Sequence, residues 1–174
     1  MKLLLFLFLS LGFVISPLAD DDKIVWQSGV QLSWNDFKGS VAGKGNHIAM
    51  SKCGIGMEQS SYTLPHGKPT YSFYAFFVPG SSWYVKEKVT HKTLQHEQLH
   101  FDIAELFARK LRKITLEKEL KPDKVKALFN KAYHNYELMQ KQYDSETQNG
   151  TAAKPQQRWQ RKVEHELKKL AEYN

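Results

Sequence analysis

The sequence predicts an α+β fold in which an N-terminal antiparallel β-sheet is followed by three α-helices. Residues 24–84 are rich in β-branched and aromatic residues, with Gly, Ser and Pro between the runs. From about Lys86 the apolar residues instead recur at helical spacing. Strands therefore come first and helices follow, without the alternation of strands and helices that is typical of a parallel sheet.

Three runs in the N-terminal half predict the strands. VWQSGVQLSWNDF indicates a short strand followed by a capped turn, and HIAMSKCGIGMEQ alternates in part between apolar and polar residues. TYSFYAFFVPGSSWYV is the strongest strand candidate, and it is interrupted at Pro79-Gly80. SYTLPHGKP has the composition of the loop that connects two of these runs.

The C-terminal half predicts three amphipathic helices. The first carries its apolar residues on the same face as His96, opposite a polar stripe. That stripe comprises Gln95, Gln98, Asp102, Glu105, Arg109 and Lys113. The second helix runs from about Pro122, a residue suited to a first turn, to Tyr143. The third runs from about Pro155 to Tyr173.

The N-terminus predicts export. MKLLLFLFLSLGFVISPLADDD has one Lys, then a mostly apolar run and small residues, which is typical of a secretory signal peptide. The run is shorter than the roughly 20 apolar residues that span a membrane. We expect residues 1–19 to be the signal peptide and residues 20–174 to form a single domain. The mature protein would be secreted or periplasmic, with no stable membrane anchor after cleavage.

Charge and cysteine content exclude some classes of protein. The net charge is +7, which we interpret as a solvated basic surface. No nucleic-acid recognition motif is present, so we expect no nucleic-acid partner. Cys53 is the one cysteine in the chain, so an intrachain disulfide is impossible and a buried, uncharged side chain is expected.

The most informative motif is H-E-x-x-H at residues 96–100. On a helix, His96 and His100 lie about 40° apart and can offer two imidazole nitrogens to one ion. Glu97 lies about 100° from His96, near enough to reach a water on that ion. This is the pattern of a catalytic zinc helix. Burying two imidazoles and a carboxylate without a partner would also be costly, and a metal ion offers that partner.

A catalytic zinc usually takes three protein ligands, so a third must come from another element. Asp144 is favoured, because it ends the second helix beside the apolar face and can reach the first helix if the two pack antiparallel. Glu146 is the next candidate. The alternatives that stay open are His134, Glu137, His47, His66 and His91. A purely structural role for Asp144 also stays open.

Several residue runs resemble a known bacterial family. They are LSWNDFKG at 32–39, Ser82-Trp83, HEQLHFDIAE at 96–105, YDSET at 143–147 and residues 157–159. The chain resembles DUF922, a family of predicted secreted zinc-dependent proteases. The resemblance implies a common fold, export and a metal site. One departure is Asn149-Gly150, where the family pattern often has His-Gly. Asn can donate a hydrogen bond to an oxyanion but is a poor zinc ligand.

We therefore predict an exported, zinc-dependent, peptidase-like hydrolase with a zincin-like fold. One zinc ion is bound by His96, His100 and Asp144, and Glu97 activates the zinc-bound water for attack on a peptide or amide carbonyl. Further candidates for oxyanion or substrate contacts are Tyr143, Asn149, Ser82 and Trp83. The substrate would be a peptide, a protein or the peptide part of peptidoglycan. The alternatives are a non-catalytic zinc-containing envelope protein and a metal-free protein with hydrogen-bonded buried histidines.

Overall fold

The computed structural model describes residues 23–41, 47–60 and 69–174. The predicted signal peptide and the candidate ligand His66 lie outside the described residues. Within these ranges the protein consists of two antiparallel sheets followed by three α-helices, which confirms the predicted α+β class. The zincin-like assignment and the domain boundary at residue 20 stay predictions.

The strands form one sheet of three and one sheet of two in the described part of the chain. They are β1 (Ile24–Val25), β2 (Ala49–Met50), β3 (Cys53–Gln59), β4 (Tyr71–Phe77) and β5 (Trp83–Tyr84). The larger sheet has the order β1-β4-β3, and alternate residues of β4 are buried, so one of its faces packs on the core. The smaller sheet pairs β2 with β5, with Met50 opposite Trp83.

The three helices are α1 (His91–Glu117), α2 (Pro122–Thr147) and α3 (Ala153–Lys169). Thr90 caps α1, because its hydroxyl accepts a hydrogen bond from the backbone N–H of Thr93 at 3.3 Å. Helix α2 begins at Pro122 as predicted but continues past Tyr143 to Thr147, so Asp144 lies inside the helix. Helix α3 is followed by a short 3₁₀ turn at Ala171–Tyr173.

The polar stripe of α1 is partly buried rather than a free surface. Gln98, Glu105 and Arg109 are 6%, 2% and 5% exposed. The backbone N–H of Leu32 donates to Gln98 Oε1 at 2.8 Å, so the N-terminal segment covers this part of the helix. Arg109 donates to Glu105 at 2.9 Å and to the Leu167 carbonyl at 2.9 Å, so α3 covers the part of the stripe around Arg109.

One cluster of buried side chains joins β3, β4 and the three helices. Helix α1 runs through this cluster, with Ile103 and Leu111 almost fully buried on it. Cys53 is buried in the same cluster, as expected. The H-E-x-x-H segment therefore lies on a helix that both the sheet and the other helices hold in place. Among the described residues, no helix is long and apolar enough to cross a membrane.

Candidate metal centre

Three potential ligand atoms meet where α1 and α2 cross. His96 Nε2 lies 3.2 Å from His100 Nε2, and Asp144 Oδ1 lies 3.2 Å from the first and 3.0 Å from the second. The i,i+4 spacing places the two imidazoles on one face of α1, and α2 delivers the carboxylate. Within the described ranges, this is the one group of three or more His, Cys, Asp or Glu side chains that could hold a metal ion.

The other nitrogen of each imidazole is held by a glutamine. His96 Nδ1 lies 3.1 Å from Gln156 Oε1, and His100 Nδ1 lies 2.5 Å from Gln140 Oε1. The orientation of the Gln140 amide follows from its Nε2, which donates to the His100 carbonyl at 2.9 Å. An amide oxygen only accepts hydrogen bonds, so each Nδ1 must carry the proton. The Nε2 lone pairs of both neutral imidazoles then point at the cluster.

The cluster is suited to hold positive charge. Two imidazole lone pairs and a carboxylate oxygen repel one another unless a proton or a metal ion lies among them. Burial alone lowers the pKa of His100, but its hydrogen bond to Asp144 and the charges of Glu97 and Asp144 outweigh burial and raise the pKa. Burial raises the pKa of Asp144, but its bonds to the two histidines bring that pKa well below its ordinary value.

Zinc fits this donor set. Zinc–ligand bonds of about 2.0–2.1 Å place two ligands of a tetrahedral ion about 3.3 Å apart. The three separations in the cluster are 3.0–3.2 Å. Two imidazoles and one carboxylate are typical of a catalytic zinc site, which keeps one coordination position open. The Asp144 side chain is 42% exposed, so the cluster is accessible from one side.

Glu97 lies beside the cluster and is 4% exposed. The backbone N–H of Ser51, the residue that follows β2, donates to Glu97 Oε2 at 2.7 Å. The Ser51 hydroxyl donates to the Glu97 carbonyl at 3.3 Å. The backbone of Ser51 therefore fixes Oε2 of the carboxylate. The other oxygen, Oε1, can still accept a further hydrogen bond or a proton.

A cavity of about 690 Å³ adjoins the cluster, and its lining includes His96, Glu97, His100 and Asp144. Residues 48–53 form one wall of this cavity, and residues of α2 form another. Trp83 and Asn149, two of the predicted contact residues, also line it. The structure therefore brings together the four motif and ligand candidates and two of the four contact candidates around one cavity.

The other two contact candidates, Ser82 and Tyr143, do not line the cavity. Ser82 is fully buried, where its hydroxyl donates to the Val78 carbonyl at 2.7 Å and accepts from the Lys52 N–H at 2.9 Å. It supports the turn before β5 and does not line the cavity. Tyr143 is also fully buried, and its hydroxyl accepts from Gln156 Nε2 at 2.7 Å. Its ring stacks on the His96 imidazole at 4.6 Å, so it supports the site from within the core.

The loop between α2 and α3 packs against the His96 side chain through Gly150. Gln148, Asn149 and Gly150 all have left-handed backbone angles, with φ of 51°, 52° and 82°. A Cβ at Gly150 would lie 2.8 Å from His96 Cγ, so a glycine is needed for this approach. Among the alternative third ligands that lie in the described residues, none joins the cluster. Glu146, for example, accepts from Trp159 Nε1 at 2.7 Å.

Comparison with known proteins bears on this part of the chain. Residues 81–151 match the DUF922 family model. That model is described as a bacterial protein of unknown function, and the match confirms the predicted resemblance to this family over residues 81–151, without the description as proteases. The DUF922 match covers β5, α1 and α2 and therefore contains His96, Glu97, His100 and Asp144. A search of curated proteins and a search of solved structures each found no match.

Sequence reasoning missed four residues that shape the site. Gln140 and Gly150 lie inside the DUF922 match, whereas Ser51 and Gln156 lie outside it. Gln140 precedes Asp144 by one helical turn, a spacing that places both side chains on one face of α2 and could have signalled a shared role. The left-handed Asn149-Gly150 turn is typical of a tight loop, but its contact with His96 depends on how α3 packs.

Proposed function

We propose that the protein is an exported, zinc-dependent, peptidase-like hydrolase. The observation that carries the proposal is the convergence of His96 Nε2, His100 Nε2 and Asp144 Oδ1 within 3.2 Å of one another. It is supported by the glutamine oxygens that fix both imidazole tautomers. An open cavity beside a His₂Asp donor set favours a catalytic role over a closed structural site.

Each side chain of the site has a separate role in the proposed reaction. His96, His100 and Asp144 would hold one zinc ion, which when bound supplies a Lewis acid and makes water a nucleophile near neutral pH. Glu97 accepts the proton of the attacking water on Oε1, while Ser51 N–H keeps Oε2 in place. The same carboxyl group can then return that proton to the departing amine nitrogen. Asn149, which lines the cavity, would donate a hydrogen bond to the carbonyl oxygen under attack.

The shape of the cavity favours a peptide as substrate. Strand β2 pairs with β5 along one edge, and residues 48–52 around it line the cavity beside Glu97. An extended peptide can add to such an edge through backbone hydrogen bonds. Met50, which lies opposite Trp83 across the two strands and is 39% exposed, offers apolar area next to that edge, whereas Trp83 itself is buried. Proteins and the peptide part of peptidoglycan both contain chains that can bind in this way.

The first test is the zinc content of the purified protein. We expect one zinc per chain in the wild type and little or none in Asp144→Asn and His96→Ala. Asp144→Asn removes a ligand charge from a half-exposed position, so it should fold even if the buried His96→Ala cavity does not. Circular dichroism checks the fold of both variants. A wild type that takes up no zinc, even after reconstitution with added metal, would overturn the proposal.

The second test separates hydrolysis from binding. One observation favours a non-catalytic zinc protein of the cell envelope: Glu97 is buried, and its Oε2 already accepts a backbone hydrogen bond. Glu97→Gln retains an acceptor for Ser51 N–H, so the fold and the zinc should be kept. Glu137→Gln is the matched control, because Glu137 lines the same cavity at its exposed rim.

Cleavage is followed by mass spectrometry on a mixed peptide library and on peptidoglycan peptides. An enzyme loses cleavage in Glu97→Gln by about 100-fold or more and keeps it in Glu137→Gln. A zinc-loaded wild type that cleaves neither substrate set would favour the non-catalytic alternative. Equal activity in both variants would exclude Glu97 as the general base.

A further inference from the structure

Helix α3 carries a line of positive charge on its outer face. Six exposed cations share this face, which we call the α3 cationic stripe: Lys154, Arg158, Arg161, Lys162, Lys168 and Lys169. At 100° per residue they fall within about 120° of the helix circumference, and they extend over about 22 Å of its length. The opposite face carries Trp159 and Val163, which are buried in the core.

The charge of this stripe is only partly compensated. Outside α3, Glu146 interacts electrostatically with two of its cations, Lys162 and Arg158. Helix α3 has six lysines and arginines against two glutamates, a net +4 out of +7 for the whole chain. Lys169 pairs with Glu166 at 2.9 Å, and Glu164 accepts from Gln160 at 3.0 Å. Of the carboxylates that the structure describes, none forms an ion pair with the other five cations of the stripe. Like charges so close together favour a polyanionic partner.

We propose that the α3 cationic stripe binds a linear polyanion with repeated phosphate or carboxylate groups. A linear partner fits because the cations lie along one helix face, about one turn apart from Lys154 to Lys162 and nearly two turns apart from Lys162 to Lys168. An anionic membrane fits less well, because the apolar residues of α3 face the core and leave no apolar side chain on the stripe to insert.

The stripe begins near the candidate metal centre. Thr151 lines the cavity, and Lys154 follows it by about one helical turn. Gln156, on the first turns of the same helix, holds His96. A polyanion bound along α3 would therefore end close to the cavity mouth. The binding depends on the cations of the stripe and not on the candidate metal centre. It can therefore be tested whether or not the protein proves to be an enzyme.

The experiment uses two triple variants of equal net charge. Arg158→Gln, Arg161→Gln and Lys168→Gln remove three of the six positive charges of the stripe, and Lys124→Gln, Lys126→Gln and Lys131→Gln remove three exposed positive charges from α2. Binding of end-labelled inorganic polyphosphate is measured by fluorescence anisotropy at several salt concentrations. Sedimentation with phosphatidylglycerol vesicles forms a second arm.

We expect polyphosphate affinity to fall by at least about tenfold in the α3 variant, with a shallower salt dependence, and by about twofold or less in the α2 variant. Equal losses in both variants would overturn the proposal, because net charge alone would then explain the binding. A wild type that does not bind polyphosphate at low salt would also overturn it. Vesicle binding through the stripe without polyphosphate binding would replace the linear polymer by a membrane surface.

Discussion

The contact between Gly150 and His96 can be tested with two matched substitutions. Gly150 and Gly29 have almost the same left-handed φ angle, 82° and 81°. A Cβ at Gly150 would meet His96 Cγ at 2.8 Å, His96 Cβ at 2.9 Å and His96 Nδ1 at 3.0 Å. A Cβ at Gly29 would meet nothing within 4 Å. Gly29→Ala therefore measures the backbone cost alone, and Gly150→Ala adds the contact with the imidazole.

The expected magnitudes follow from these two terms. A residue with a Cβ in the left-handed region costs about 1–2 kcal/mol, so Gly29→Ala should lower the free energy of unfolding by that amount. Overpacking adds about 1–3 kcal/mol at Gly150, for a total of about 2–5 kcal/mol. The imidazole has little room to move, because Tyr143 stacks on it at 4.6 Å and Gln156 holds its Nδ1.

The assay combines urea unfolding of the metal-free proteins with zinc titration against a competing chelator. A change in the groups that orient a metal ligand typically lowers metal affinity by about 10–100-fold. Because Gly150→Ala would shift the His96 imidazole, it should weaken zinc binding by that factor. Gly29→Ala should leave zinc affinity unchanged. Equal zinc affinity in the two variants would refute the idea that Gly150 positions His96. Equal losses of stability would show that the imidazole accommodates the methyl group.

Three further predictions concern residues around the site and the core. Gln140→Leu should weaken zinc binding by about 10–100-fold, because Gln140 Oε1 holds His100 Nδ1. The exposed control Gln142→Leu should leave zinc affinity unchanged in the same titration. Equal affinity of the two variants would mean that Gln140 does not fix the His100 tautomer. Arg109→Met should lower the free energy of unfolding by about 3 kcal/mol in urea denaturation, because it leaves buried Glu105 with one arginine instead of two; a loss under 1 kcal/mol would contradict this. Burial raises the pKa of the Cys53 thiol, so iodoacetamide at about pH 8 should label it only after unfolding, and rapid labelling of the folded protein would show that the cavity admits the reagent.

The sequence was sufficient for the order of elements and for the histidine pair. Both depend on local periodicity, and the apolar spacing from Lys86 onward specifies α1 whatever it packs against. Asp144 was favoured as a ligand on the assumption that α2 ends at Tyr143. The helix instead continues to Thr147, four residues past Tyr143. Asp144, which is the first of these residues, still lies beside the face that packs on α1. Its position thus depended on the packing of two helices more than on the helix end.

The buried polar stripe on α1 shows where this reasoning failed. Local periodicity identifies the polar face of a helix but not the elements that cover it. One partner of Gln98 is a backbone N–H 66 residues earlier, and one partner of Arg109 is a carbonyl 58 residues later. Such contacts form only once the N-terminal segment and α3 have packed, so no spacing within α1 predicts them. The glutamine that supports His96 escaped prediction for the same reason.

The distribution of the site over three helices has a physical consequence. Helix α1 supplies both histidines, α2 supplies Asp144 and Gln140, and α3 supplies Gln156. The three ligand atoms therefore meet only when α1 and α2 are packed, and Gln156 supports His96 only when α3 is packed as well. An unfolded chain would offer at most the i,i+4 histidine pair. A metal ion that prefers three ligands to two must bind the folded state more tightly, and it stabilises that state in proportion to the difference. Zinc would then report on the packing of α3 as well as on its own ligands. The α3 cationic stripe is part of the same rigid unit, because Gln156 and the cations lie on opposite faces of one helix.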